Sequence, residues 1–265
     1  MTSGKQSRRQ RQAARVGAPP AGGARRASPQ VLVGAAVLLV VAGVAVGLSL
    51  ALGGGSSSGA DVPARGSLVN ALPGARDVRD LLAGIPQDGN VLGRPSAPVT
   101  LVEYVDLQCP FCRELEMQVI PPLVSRYVST GKLKIETRPL AFVGSDSQRG
   151  RDAAIAAGYQ DRMFDLMAIL FANQGGENTG WLDDDMVTAA GASIPGLAVP
   201  RLLEERESSR VANAAAALDL LAQEGGIDST PTILVGKSGE TLREVTLSSA
   251  TDTQAVAAAI EQALR

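Results

Sequence analysis

Both cysteines of this 265-residue chain stand in one short stretch, Asp106-Leu107-Gln108-Cys109-Pro110-Phe111-Cys112. No other segment narrows the possible folds so much. Before it, Pro98 to Val105 reads as a buried strand: Val99, Leu101, Val102, Tyr104 and Val105 are apolar and mostly β-formers. After it, Arg113 to Val128 reads as a helix. A C-x-x-C at a strand-to-helix turn sets the first sulfur at a helix N-terminus, where unpaired N–H groups and the helix dipole favour a thiolate. Pro110 suits the first helical position, which needs no N–H. Cys109 is expected to be exposed and Cys112 tucked one turn in. Two sulfurs so placed form and break a small disulfide, which is thiol–disulfide exchange.

Other uses of the pair fit poorly. A structural disulfide closing so short a loop constrains the unfolded chain little. A zinc site takes four ligands, usually Cys and His, and the chain has two cysteines and no histidine, so no metal is expected. The same absence of histidine excludes a Cys-His hydrolase.

The stretch Gly93-Arg-Pro-Ser-Ala-Pro-Val-Thr-Leu-Val-Glu-Tyr-Val-Asp-Leu-Gln-Cys-Pro-Phe-Cys112 resembles the start of a bacterial DsbA-like thiol–disulfide oxidoreductase with a thioredoxin fold. Downstream, Ser229-Thr230-Pro231-Thr232 resembles the cis-proline loop of that family. Two motifs in this order are more specific than C-x-x-C alone. The resemblance covers about residues 92–265. It implies an α/β thioredoxin-like fold with an inserted helical subdomain, and Cys109 as attacking thiolate with Cys112 resolving the mixed disulfide. It further implies a cis Pro231 beside the sulfurs, with Thr230 presenting its backbone to an extended substrate; Pro110 and Phe111 also face the substrate. Glu103 matches the buried acid that moves the proton of the second cysteine; the alternative is a solvated strand carboxylate. Asp106 reads as a cap or turn residue. No cofactor is implied.

Residues 1–30 carry seven basic side chains and no acid, amid Pro, Gly, Ser and Gln, and read as a disordered tail. Val31 to Leu52 is uncharged and apolar but for Ser49, long enough as a helix to span roughly 30 Å of hydrocarbon. The basic flank places the N-terminus in the cytoplasm and the rest of the chain outside. The competing reading is a cleaved signal peptide, for which the apolar run is long. We therefore expect a single-pass anchor over 31–52, an extracytoplasmic linker over 53–90 opening with Gly-Gly-Gly-Ser-Ser-Ser-Gly, and the catalytic domain over 91–265. All 27 acidic residues but only 18 of the 25 basic ones lie beyond residue 60, so this part carries about −9 and has no reason to bind nucleic acid.

Within the domain, Pro121-Pro122 should interrupt the first helix near its end, and Lys132 to Leu140 reads as the next strand. A helical insert is expected over about 142–227. Ile155, Tyr159, Met163, Leu166 and Leu170 recur at helical spacing, as do Val211, Ala214, Leu218 and Leu221, with short helices at Val187–Ala190 and Leu202-Leu203. Val78 to Ala83 reads as a further short helix. Thr232–Val235 and Thr241–Leu247 flank a Lys237-Ser238-Gly239 turn as a hairpin. Thr251-Asp252-Thr253-Gln254 has capping-box form before a last helix to Leu264.

The expectation is thus an extracytoplasmic oxidoreductase acting on cysteine-containing secreted or membrane proteins, oxidation being the leading direction. A reductase or isomerase of the same fold is the runner-up, and a redox-inert binding module the non-enzyme alternative. The family implies reoxidation by a membrane partner of DsbB or VKOR-like type.

Overall fold

The computed structural model describes residues 62–265, so the expected tail, membrane anchor and first part of the linker lie outside the described residues. Among the described residues no helix is long and apolar enough to cross a membrane.

The centre is β3 (Val99–Asp106), every residue of which is buried. It pairs in parallel with β4 (Leu133–Leu140) and antiparallel with β5 (Thr232–Lys237). Short strands β1 (Gln87–Asp88) and β2 (Val91–Leu92) extend the sheet beyond β4, and β6 (Arg243–Glu244) beyond β5. The resulting order is β1-β2-β4-β3-β5-β6. Strand alternation divides β3 between two faces. Leu101 and Val105 join the main core, while Val102 and Tyr104 pack with Leu140 and Ala222 on the other side.

After β3 the chain turns into α2 (Pro110–Gln118), followed by the single turn α3 (Ile120–Leu123) and a wider π-type turn, Val124–Val128. The break expected at Pro121-Pro122 falls just ahead of them. Neither proline has an N–H to continue the α2 ladder, and both instead occupy the start of a new helical turn.

Between β4 and β5 lie α4 (Ser145–Gly158), α5 (Met163–Ala172), α6 (Asp184–Ala192), α7 (Val199–Glu205) and α8 (Ser209–Glu224). The residues at helical spacing from Ile155 to Leu170 are shared between α4 and α5, because Tyr159–Arg162 forms a turn, with Asp161 at φ 55 and its N–H donating to Gly158 O at 2.9 Å. The apolar stripe survives the break because α4 and α5 pack against each other in the same core. In α8 Val211 is buried, but Leu221 lies exposed at the far end of the stripe.

Three boundaries differ from the sequence reading. The expected linker over 53–90 is already folded in its later part. Helix α1 (Ala75–Leu82) buries Ala75, Val78 and Leu82 in the main core, and β1 lies within the sheet. Gly66 seats this segment on the insert: its N–H donates to Leu197 O at 2.9 Å, and a Cβ there would meet Ile194 O at 2.2 Å. The segment looked patternless because many of its contacts go to residues about 70 to 130 positions away, such as Gln87 to Asp165 and Gly66 to Leu197. Second, the strand expected over Thr241–Leu247 shrinks to Arg243–Glu244, both exposed. Third, the last helix, α9 (Thr253–Ala263), is capped by Asp252 rather than by Thr251. The Asp252 carboxylate accepts from Ala255 N at 3.0 Å and is held by the Ser248 hydroxyl.

Candidate active site

The end of β3 and the start of β5 meet because the two strands are antiparallel neighbours: Tyr104 lies opposite Thr232. The loop entering β5, Ser229 to Pro231, therefore sits where β3 hands over to α2. This places Thr230-Pro231 against Cys109, across 121 positions of sequence. The Thr230–Pro231 peptide bond is cis, as the family resemblance implies. Thr232 Oγ1 donates to Ser229 O at 2.9 Å and steadies the loop.

Cys109 is the N-cap of α2, in extended backbone conformation, with Pro110 at the helix start. Its Sγ accepts from Cys112 N at 3.4 Å, and as a thiol it donates to Thr230 O at 3.4 Å. Both cysteines are free. Cys112 is fully buried as expected, and its Sγ accepts from Asp106 N at 3.4 Å. Cys109 is less open than the sequence reading had it, only 5 % exposed, because the Thr230 carbonyl lies against it.

The two sulfurs differ sharply in acidity. The Cys112 thiol, donating to the Cys109 sulfur, brings the latter from 9.0 down to about 6 against the opposing effect of burial. The Cys112 and Phe111 backbone N–H groups and the Thr230 side chain assist. Cys112 is held well above the ordinary thiol range, first by burial and then by the negative Cys109 beside it. The pair is thus a reactive thiolate backed by a protonated thiol.

Phe111 is 59 % exposed, and Pro110 is exposed beside it. A second exposed aromatic, Phe142, follows β4 at the same end of the sheet, since β4 runs parallel to β3. Both phenylalanines lie at the end of the sheet that carries the C-x-x-C.

Asp106 does more than turn the chain. Its Oδ1 accepts from Gln108 N at 2.9 Å and from Ser147 Oγ at 2.7 Å; its Oδ2 accepts from Phe142 N at 2.7 Å and Val143 N at 2.9 Å. Gln108 Nε2 donates in turn to Ser147 Oγ, and Gln174, just beyond α5, donates to Leu107 O at 2.8 Å and Cys109 O at 3.1 Å. The insert therefore grips the C-x-x-C loop through side chains on both sides. Gly150 of α4 lets it approach: a Cβ there would meet Leu182 Cδ2 at 2.5 Å and Leu107 Cδ1 at 3.0 Å.

Glu103 is buried, in register with Thr137 of β4 and Ile233 of β5. Burial pushes it up to about 7, against the lowering effect of hydrogen bonds with Thr137 and Glu116. Glu116, on α2, was missed in the sequence. Its stem is partly exposed, but its carboxyl is buried against Glu103 and held well above the usual range by burial and by that neighbour. The available signal was its spacing, one helical turn beyond Cys112.

Cys-x-x-Cys at the head of a helix, a cis-proline loop across from it and a central β3 between parallel and antiparallel neighbours define a thioredoxin-type redox protein. Residues 87–253 match the thioredoxin family model, and the chain belongs to that family. Among its relatives are proteins named for disulfide bond formation. The probable disulfide bond formation protein D of Bacillus cereus is 32% identical over 98 residues, 36% of this chain and 45% of the relative. Disulfide bond formation protein D of Bacillus subtilis is 27% identical over 150 residues, 55% of this chain and 66% of the relative. The matches thus span about half to two thirds of the relatives' length. The crystal structure of oxidised BdbD from Bacillus subtilis superposes with a TM-score of 0.59 at 23% identity, covering 68% of this chain and 97% of that one. That likeness is one of fold.

Proposed function

We propose that this protein is an extracytoplasmic oxidant of protein thiols, donating the Cys109–Cys112 disulfide to cysteine-containing secreted or membrane proteins. The observation that carries the reading is the unequal acidity of the two sulfurs. A thiolate stabilised at Cys109 stabilises the reduced form, and a stable reduced form makes the disulfide a stronger oxidant.

The reaction balances as follows. A substrate thiolate attacks Cys109 Sγ, the Cys109–Cys112 bond breaks, and Cys112 leaves as a thiolate that takes up a proton. A second substrate thiolate then attacks the substrate sulfur of the mixed disulfide and expels Cys109 as a stable thiolate. The substrate loses two electrons and gains a disulfide; the enzyme becomes the dithiol. Thr230 and the exposed Pro110, Phe111 and Phe142 are the surface on which the substrate lies. Glu103 handles the proton of Cys112, since without histidine the task falls to carboxylate or water.

Val31–Leu52, with its basic flank, tethers the domain to the outer face of the cell membrane. A membrane redox partner of DsbB or VKOR-like type then restores the disulfide. Full-length protein should speed oxidative refolding of a reduced test protein, and Cys109→Ser should abolish this. Full activity in Cys109→Ser, or a reduction potential near −270 mV, as in the reductant thioredoxin, overturns the reading. Labelling of intact cells should reach the domain and not residues 1–30; a mature chain beginning near residue 52 would refute the anchor.

A further inference from the structure

The end of α5 and the loop after it lie along the C-x-x-C turn and bond to it repeatedly. Arg113 Nε donates to Phe171 O at 3.0 Å, and Gln174 Nε2 donates to Leu107 O at 2.8 Å and to Cys109 O at 3.1 Å. Gln108 Oε1 accepts from Asn178 N at 2.7 Å, and its Nε2 donates to Asn178 Oδ1 at 3.4 Å. Residues 107, 108 and 109 are thus each held by the stretch 174–178, which lies 65 to 70 positions downstream.

The two bonds from Gln174 bear most directly on the sulfur. Cys109 lies past the end of β3 and ahead of α2, where no sheet partner steadies it. Its carbonyl opens α2 by accepting from Arg113 N at 3.1 Å, and Gln174 is its second donor. Leu107 is buried, and among the described residues no other donor reaches its carbonyl. The two carbonyls belong to the peptide planes on either side of the Gln108–Cys109 bond, so one amide holds both planes. With its carbonyl held, Cys109 keeps its ψ of 120, and with it the direction in which the side chain leaves the helix start. The sulfur has little slack: its contacts with Cys112 N and Thr230 O both stand at 3.4 Å, and such bonds weaken as distance and angle open.

We propose that Gln174 is the positioning residue of the catalytic sulfur: its amide clamps Leu107 O and Cys109 O, and thereby holds Cys109 Sγ against the Cys112 N–H and the Thr230 carbonyl. Its bonds go to backbone oxygens, so it acts on the sulfur through Cys109 itself. Arg113 closes the clamp from the other side, its guanidinium resting on the last turn of α5, where a cation is favoured. The insert thus has a task beyond covering the sheet, which is to set the place of the nucleophile.

The test uses the full-length chain in its dithiol form and reads the Cys109 midpoint by iodoacetamide alkylation against pH. Gln174→Met keeps the length of the side chain and removes the donor. The midpoint should rise by roughly half a unit or more, so that alkylation at pH 5 is at least about threefold slower than in the wild type. Gln174→Asn keeps an amide but draws it back by one methylene, and should move the midpoint the same way; it decides the matter if Gln174→Met does not fold. Asn173→Leu is the control for loosening the same turn. It removes the bonds to Pro73 O at 3.0 Å and Ile169 O at 2.8 Å, so it should lower the urea midpoint and leave Cys109 at about 6. Positioning also implies coupling. In Cys112→Ala the sulfur has lost its largest partner, so misplacing it matters less, and adding Gln174→Met should shift the midpoint less than it does in the wild type. An unmoved midpoint in Gln174→Asn overturns the proposal, as does an equal shift in Asn173→Leu. Equal Gln174→Met shifts with and without Cys112 also overturn it, because the amide would then act on the charge directly. Calling the sulfur catalytic rests on the exchange activity proposed above, and the two fail separately. A wild type that does not exchange disulfides overturns that activity, while alkylation still reads the sulfur and decides the role of Gln174.

Discussion

Replacing Cys112 by alanine removes the largest influence that lowers the Cys109 sulfur, the hydrogen bond from the Cys112 thiol. In the wild type that sulfur titrates at about 6 rather than 9.0. At pH 7 it is then about nine-tenths thiolate, where an unperturbed thiol would be about one-hundredth. The linked stabilisation of the reduced form at pH 7 is about 1.4 kcal/mol, equivalent to about 30 mV for a two-electron couple. That figure is an upper one, because the sulfur lies just beneath the surface, where nearby solvent screens part of it. The sign follows from the depressed pKa: the stabilisation is complete above the ordinary thiol pKa, grows from about pH 6 to 9, and is lost as pH falls through about 6. In Cys112→Ala the backbone N–H groups of residues 111 and 112 and Thr230 remain, so the midpoint should rise by about one unit or more without reaching 9. Alkylation of Cys109 by iodoacetamide, measured as rate against pH, reads the midpoint directly. At pH 7 the rate should fall to about half of the wild-type value or less. A midpoint still at about 6 would falsify the assignment of the shift to Cys112 and leave the helix N-terminus as its source.

Thr230→Val, which removes a lesser hydrogen bond to the same sulfur, should raise the Cys109 midpoint by less than Cys112→Ala does, read by the same alkylation profile. The wild-type reduction potential should lie between roughly −120 and −270 mV in glutathione redox titration. Phe111→His, adding a donor beside the thiolate, should raise that potential and lower the Cys109 midpoint; no change in either would show that this position does not govern the thiolate. Asp106→Ala orphans four donors, the Gln108, Phe142 and Val143 N–H groups and the Ser147 hydroxyl, and should cost about 3 kcal/mol in urea unfolding. A loss under about 1 kcal/mol would mean that water replaces the carboxylate there.

Where structure rests on local pattern, it was readable from residues alone. The apolar run of β3, the proline at the start of α2 and the Pro121-Pro122 break each follow from rules spanning a few positions. What escaped depends on distant partners. Nothing near Gly66 announces that its backbone will lie against Leu197, and nothing in residues 87–92 says that a two-residue strand will find β4. The hairpin beyond Gly239 alternates well enough to suggest a longer strand, yet its residues lie at a solvated sheet edge where little packing rewards pairing. Glu116 looks like any acidic residue of a solvated helix, beside Glu114 and Gln118. Only the knowledge that α2 presses its Cys112 face onto β3 turns it into a buried group. The site proper was legible because its two motifs are short and rigid; its supports were not, because Asp106 and Gln108 reach backbone and side chains of the insert and Gln174 reaches back from it to the loop.

The meeting of β3 with β5 also has a consequence for the chain as it is made. Synthesis proceeds from the N-terminus, so Cys109 exists for more than 100 residues of elongation before Thr230 does. Throughout that interval the site lacks the Thr230 contact and the fifth strand that backs Glu103, and in its earlier part also the Ser147 and Gln174 bonds by which the insert holds the loop. The thiol of a half-made chain is therefore less firmly placed, and slightly less acidic, than that of the finished one. The main influence on the sulfur, Cys112, is made only three residues after it, so what the last part of the sequence adds is the final placing of the thiol rather than most of its acidity.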